Sequence, residues 1–393
     1  MTQLLIAGGG IGGLAAALAG SMADAQVRLY ERTPVFSEVG AGVQLGPNVT
    51  RVLHGWGLAE ALNAVVAVPQ RLQIRSAASG AELGVLRLGE VAQARYGSPY
   101  VTIHRGDLHA VLLAELTRRG QVALHLESAV VGFEQDDKTV TLRLQDGREA
   151  QGDLLVGADG GWSRVRQQLL NDGGPSPTGH LAYRALVRQS SLPQILRSQQ
   201  VTAWLGPHLH MVQYPVRRGE WLNVVAFVHG HVDGDMQSWD HSANAAELQR
   251  HMAGTCAPMK DLINAIEHWR LWPLSIRAPM QGAHEHAQWR VALLGDAAHP
   301  MLPYLAQGAG MAIEDAAELG RILAAQPQGT TAGPEGLREY AAHRWHRNAR
   351  VQARAIRNGQ IFHATGLLRW GRDVAMKLRG EPLLDMPWLY GKI

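Results

Sequence analysis

The order of apolar and polar positions along the chain alternates between two periods. Residues 3–7 form a short unbroken apolar run, which predicts a buried strand, and Ile11, Leu14, Ala15 and Leu18 recur at helical spacing over 11–22. Residues 27–30 predict the next strand. Strand, glycine turn, helix, strand is the arrangement of a dinucleotide-binding unit. Asp107 as an N-cap, followed by Leu108, Val111, Leu112 and Leu116, predicts an amphipathic helix over 107–119. From 122 to 156 the pattern alternates, and Asp146-Gly147 supplies a hairpin turn.

Alternation resumes between about 180 and 230, with Trp204, His210, Val212 and Tyr214 and then Leu222-Asn223-Val224-Val225. Arg218-Gly219 sits where a hairpin turns. A helix is expected near 244–267, a strand over 289–294, a helix from about Met311, and a basic helical region after about 334. The predicted fold is α/β: a discontinuous Rossmann-like dinucleotide-binding domain (1–70, 96–180 and 274–345), an inserted β-sheet domain (71–95 and 181–273), and C-terminal helices over 346–393.

Composition narrows the class. Hydrophobic residues make up 46% and charged residues 18%, as in an ordinary globular protein, and 44 glycines suit many tight βα turns. A net charge of +3 without a basic block argues against nucleic acid as a partner. No run approaches the roughly 18–20 apolar residues of a membrane span. Cys256 is the only cysteine, so no internal disulfide forms and a reducing compartment is expected. Residues 4–7 enter a glycine turn with no room for a cleavable leader, so the expected location is the cytoplasm. The arginines after 346, interleaved with Ile356, Ile361, Leu367 and Leu368, read as a solvated helix face or a homodimer contact.

Three glycine-marked patches carry the chemistry. In the first, Gly8 allows a tight turn, Gly10 lets backbone approach a pyrophosphate, and Gly13 lets helix and strand pack closely, while Glu31 can accept bonds from ribose hydroxyls. The second is Gly157-Ala158-Asp159-Gly160 with Ser163, Arg164 and Arg166, which puts Asp159 at a strand's C-terminal end. The third is Gly295-Asp296-Ala297-Ala298-His299-Pro300, leading into Gln307-Gly308-Ala309-Gly310. There Asp296 can bond a ribityl hydroxyl, and the following helix N-terminus faces the electron-rich edge of a flavin. An ordinary nicotinamide dehydrogenase has no reason to carry both later patches.

The trio, spread over nearly the whole chain, resembles the single-component flavoprotein aromatic hydroxylases of the para-hydroxybenzoate hydroxylase fold family. Within it, Glu38-Val39-Gly40-Ala41-Gly42-Val43-Gln44, His104-Arg105-Gly106-Asp107-Leu108-His109 and Gln213-Tyr214-Pro215 look closest to the 3-hydroxybenzoate 6-hydroxylases. Salicylate hydroxylases and 6-hydroxynicotinate monooxygenases are similar. The resemblance implies that Glu31, Arg32, Arg105, Val130 and Asp296 contact a tightly bound FAD, with Pro300, Gly308 and Ala309 beside it. It also implies that the Asp159 motif serves both FAD and a transient NADH or NADPH. The implied reaction is flavin reduction, O₂ capture as a C4a-hydroperoxide, and hydroxylation of a small phenolic acid.

Deprotonating such a phenol makes its ring more nucleophilic, and a histidine is the natural hydrogen-bond partner. His210, Val212 and Tyr214 share one face of an alternating strand, and the resemblance places His210 and Tyr214 at substrate. On the residues alone, His210 reads first as a histidine bonding within a sheet, and His208 is its rival on that face. Gln44 and Tyr304 are further pocket candidates. Pro303 stands where the 3-hydroxybenzoate enzymes use glutamine, and it matches the salicylate pattern; Gln44 and Tyr304 stand where the 6-hydroxynicotinate enzymes use histidines. The acid is therefore of 3-hydroxy or 2-hydroxy type, with a hydroxynicotinate as alternative. A reductase or halogenase of the same fold, or a flavin redox sensor, are the other classes. His284, His286 and His299 lack metal-ligand spacing, and no metal is expected. Trp269-Arg270-Leu271-Trp272-Pro273 reads as core packing.

Overall fold

A computed structural model describes residues 1–36, 41–230, 241–243, 245–327 and 331–391. Residues 38–40 of the glycine-rich segment before Gln44 lie outside them. The chain forms two compact units, Met1–Val39 with Gly106–Ser176 and Ile276–Ala355, and Gly40–Arg105 with Pro177–Ser275 and Ile356–Ile393.

The first unit is built on a six-stranded sheet. Its order is Ala287–Gln288, Val291–Leu293, Leu154–Gly157, Gln3–Ala7, Gln26–Tyr30, Val122–His125. All neighbours run parallel except the edge pair Ala287–Gln288 and Val291–Leu293. The central strands are continuous apolar runs because helices cover both faces of such a sheet. Ile11–Met22 packs on Gly308–Ala324 through small residues, and a Cβ on Gly320 would lie 2.9 Å from Ala19 Cβ. An antiparallel meander, Val130–Gln135, Val140–Leu144 and Glu149–Gly152, joins the same unit.

The second unit carries an eight-stranded sheet. Its order is His241–Ala243, Trp269–Ile276, Ser176–Arg188, Trp221–His229, Leu209–Val216, Val201–Gly206, Arg71–Ser76, Glu82–Arg87. Side chains alternate between its faces. One face, with Leu181, Tyr183, Met211, Val224 and Ala226, is covered by Leu248, Met259 and Leu262 of helices Ala245–His251 and Ala257–Asn264. The opposite face carries His210, Val212 and Tyr214, with Phe227, Val225 and Asn223 as their cross-strand partners. The C-terminal helix Gly366–Arg379 contributes Met376 to a cluster with Leu83, Ala203 and Leu205.

Several expected elements shift. The helix expected over 107–119 starts at Arg105, so Asp107 stands in its first turn instead of capping it. The single helix near 244–267 is two, broken before the proline-led start at Ala257. Trp289 is not in a strand: it is an exposed turn residue with φ 53° between the two edge strands. Arg372, within the basic C-terminal region, is buried and donates to Ile361 O (3.0 Å) and Phe362 O (2.8 Å). No helix among the described residues is long and apolar enough to cross a membrane.

Candidate active site

Parallel pairing brings the three glycine patches to one sheet edge. Ala7 pairs with Gly157 and Gly157 with Leu293, so the loops after all three strands leave from the same carboxyl edge. In doubly wound sheets that edge is where ligands gather. Gly8 adopts φ +103°, and a Cβ there would lie 2.5 Å from Ala158 O; one on Gly13 would lie 1.9 Å from Gly8 O. No residue with a side chain fits at either place.

Polar groups at this edge suit a dinucleotide. Glu31 is held at the end of its strand: Gly9 N donates to Oε2 (2.6 Å), while Thr33 N (2.9 Å) and Thr33 Oγ1 (3.0 Å) donate to Oε1. The helices Ile11–Met22 and Gly308–Ala324 begin at Gly10 and Gln307 without a side-chain cap or an acidic residue in the first turn. Their leading N–H groups suit anionic or electron-rich ligand atoms. Asp296 is exposed between the buried Gly295 and Ala297, and a Cβ on Gly308 would lie 3.9 Å from its Oδ1. These features fit FAD. Gly308 and Ala309 open their helix, earlier than the expected start at Met311.

Asp159 follows the strand Leu154–Gly157 by two residues, at its carboxyl end. Its Oδ1 accepts from Ser163 Oγ (2.5 Å), and its Oδ2 from the backbone of Arg164 (2.7 Å) and Val165 (3.2 Å). Both oxygens are engaged at the start of helix Arg164–Leu170, and burial raises its pKa. Arg166 from that helix donates to Asp172 and to the carbonyls of Ala297 and Ala298. The middle motif thus braces the loop that presents Asp296. Val130 opens its strand half-buried, Arg32 is exposed just beyond Tyr30, and Pro300 O accepts from Gln352 Nε2 at 3.0 Å. Tyr304 is buried in the turn Pro303–Leu305, and burial raises its phenol pKa.

A charged network lies beneath the Asp296 loop. Asp315 accepts from His299 Nε2 (2.6 Å), Gly295 N (3.2 Å), Arg344 Nε (2.8 Å) and Asn348 Nδ2 (2.9 Å). Its carboxyl is held well below the usual range, since His299 and Arg344 outweigh desolvation. His286, 3.1 Å from Asn348 Nδ2, is pushed down to about 3 by burial. The fold therefore joins His286, His299 and Asp315, which sequence spacing did not foresee, but Asp315 is already engaged by Arg344.

The second unit places the remaining candidates together. Gln44 Oε1 accepts from Tyr100 OH (2.6 Å), and Gln44 also hydrogen-bonds Tyr214. Gly42 N donates to Asn223 Oδ1 at 2.7 Å; a Cβ on Gly42 would lie 2.5 Å from Tyr214 Cε2, so only glycine lets this strand lie against the tyrosine. Burial raises the Tyr214 phenol strongly, keeping it protonated. His210 is fully buried, its ring stacked on Phe227 at 4.3 Å and its Nδ1 2.7 Å from His363 Nε2. Burial, then His363 and His180, lower its pKa far below the ordinary value. His208 is not on that strand face: it precedes the strand with φ 58° and is exposed. Arg105, the first residue of its helix, belongs to this unit, and its backbone N–H donates to Ala41 O at 2.8 Å.

Three donors on this sheet face have no hydrogen-bond partner among the described residues: Arg184 Nε, Asn223 Nδ2 and Trp272 Nε1. Arg184 lies over the Trp272 ring at 4.9 Å, and burial and then Arg105 lower its pKa, with Tyr214 opposing. Trp272 is therefore not simple core packing, although Trp269 is, within the opposite-face cluster. No local pattern along the chain marks Arg184 or Asn223, because the orphaning of a donor depends on its neighbours across the sheet.

A family described as FAD binding domain matches residues 1–355. A 3-hydroxybenzoate 6-hydroxylase of Polaromonas naphthalenivorans is 36% identical over 99% of this chain and 95% of its own length. A 6-hydroxynicotinate 3-monooxygenase of Bordetella bronchiseptica is 36% identical over 89% of each chain. A solved salicylate hydroxylase in complex with substrate has a TM-score of 0.81 at 26% identity, covering 99% of this chain and 95% of that one. The chain belongs to the FAD-dependent aromatic hydroxylases and is a flavoprotein monooxygenase.

Proposed function

We propose that the protein hydroxylates a small phenolic carboxylic acid, of 3-hydroxybenzoate or salicylate type, using O₂ and NADH or NADPH. The observation that carries the acid is the set of three buried, unpartnered donors, Arg184 Nε, Asn223 Nδ2 and Trp272 Nε1, on the sheet face that bears Tyr214. An unsatisfied buried donor costs about 1–3 kcal/mol, so three together imply a ligand that accepts all of them. A guanidinium among them selects a carboxylate.

When bound and reduced by the nicotinamide, FAD would activate O₂, one atom of which enters the ring while the other leaves as water. Backbone N–H groups of residues 8–13 would hold its pyrophosphate, Glu31 its ribose, and Asp296 its ribityl chain, with Arg32, Val130, Pro300, Gly308 and Ala309 as further contacts. Asp159 contributes to this site indirectly, through the helix that carries Arg166. Arg184 takes the substrate carboxylate. Tyr214, fixed by Gln44, stays protonated and donates a hydrogen bond. His210, an imidazole buried beside Phe227, hydrogen-bonds the phenolic oxygen and orients the ring.

The test is a panel of hydroxybenzoates and hydroxynicotinates scored for stimulated NAD(P)H oxidation, with product mass measured under ¹⁸O₂. A labelled dihydroxy acid or catechol supports this reading. Oxidation without label in product would identify a reductase. No aromatic stimulation at all would leave a flavin-binding sensor.

A further inference from the structure

The second unit gathers His180, His208, His210, His229 and His363, of which the hydroxylation chemistry above uses only His210. We propose that His180, His229 and His363 form a three-nitrogen site for a divalent transition metal of borderline softness, such as Zn²⁺, Cu²⁺, Ni²⁺ or Co²⁺. One ring nitrogen from each lies within 4.8 Å of the other two. His229 Nε2 and His363 Nδ1 are 3.0 Å apart, close to the separation of about 3.3 Å that bonds of about 2.0–2.1 Å give two ligands in a tetrahedral site.

The scaffold is suited to that role. His180 and His229 are directly opposite partners on adjacent antiparallel strands, with ring centroids 4.4 Å apart. His363 follows the last turn of helix Pro334–Phe362, whose terminal carbonyls are held by Arg372. Two ligands from a sheet and one from a clamped helix end make a preorganised set. His229 is exposed and His180 partly so, which leaves a coordination position facing water. The three ligands are all imidazoles, which suits zinc or copper and disfavours calcium or magnesium, whose ligands are oxygens. The fully buried trio His286, His299 and Asp315 differs on this point, because its carboxylate is paired with Arg344.

The proton balance is internal. One hydrogen now lies between His229 Nε2 and His363 Nδ1. For both nitrogens to ligate, His229 carries its hydrogen on Nδ1 and His363 and His210 theirs on Nε2, so each imidazole stays neutral. His363 Nε2–H then donates to His210 Nδ1, 2.7 Å away, fixing the ligand's tautomer as outer partners of metal-bound histidines do.

Untagged FAD-containing protein would be dialysed against Zn²⁺ and its bound metal measured, with flavin absorbance as the check on folding. The expected result is one high-affinity equivalent per chain. His180→Ala and His229→Ala should each weaken it by at least about tenfold at full FAD content, whereas His208→Ala leaves it within about twofold. Zinc bound no more tightly by the wild type than by both ligand variants would overturn the site. So would loss in His208→Ala with retention in His229→Ala. Copper EPR showing nitrogen coupling that changes in His180→Ala supplies a second readout.

Discussion

His363 Nε2 lies 2.7 Å from His210 Nδ1, so a residue just past the end of a long C-terminal helix fixes the ring of a histidine in the central sheet. With Phe227 stacked on the other side, His210 has one ring orientation. Replacing it with alanine should lower hydroxylation by about 100-fold or more while FAD content is unchanged. Turnover equal to wild type in that variant would remove His210 from the reaction.

Arg184→Met should raise the KM for the acid and lower kcat/KM by about 10- to 100-fold, the cost of one charge-assisted hydrogen bond to a carboxylate. The amide of the same hydroxy acid should be turned over nearly equally by both proteins. An equal loss on acid and amide would mean that Arg184 supports the sheet face and does not read the carboxylate.

Gly13→Ala should abolish FAD retention, because its Cβ would fall 1.9 Å from the backbone oxygen of Gly8, which has no flexible side chain to move aside. The purified variant should be folded by circular dichroism and colourless. A yellow preparation with wild-type flavin content would show that the first glycine patch does not set the cofactor cradle.

Acid should destabilise the first unit in a defined window. His286 has its pKa lowered from 6.5 to about 3 by burial, so below about pH 6.5 the unfolded chain takes up a proton that the folded chain refuses. Asp315, also depressed in the fold, contributes stability that is present above the unfolded carboxylate pKa of about 3.9 and lost as pH falls below it. Melting temperature should therefore decline from about pH 6.5 towards pH 3. His286→Asn should flatten the upper part of that decline. A melting temperature constant between pH 7 and pH 4 would contradict the linkage.

The first patch was legible because each of its requirements is local. The strand at residues 3–7, the helix at 11–22 and the glutamate at the next strand's end are adjacent in sequence, and each residue type follows from backbone geometry. The face shared by His210 and Tyr214 was also legible, from the two-residue period of a strand. Asp159 was harder to read. Its motif marks the site, yet its carboxylate is engaged by Ser163 and the next helix, a competition that the sequence does not express. His208 was misplaced because alternation was extended one residue beyond the strand into a turn.

Chemistry written in neighbouring residues, such as glycine turns, strand ends and the alternation of faces, pointed to a flavin-binding α/β protein, and the resemblance carried by its motifs implied a monooxygenase. Register and packing decided the rest. Arg184, Asn223 and Trp272 come to share a face as unpartnered donors only when three strands align and no acceptor among the described residues falls opposite them. His180, His229 and His363 become neighbours only when two strands pair and a distant helix ends against them. A donor's lack of a partner, or a cluster of imidazoles, is a property of positions in space, and no local period in the chain encodes it.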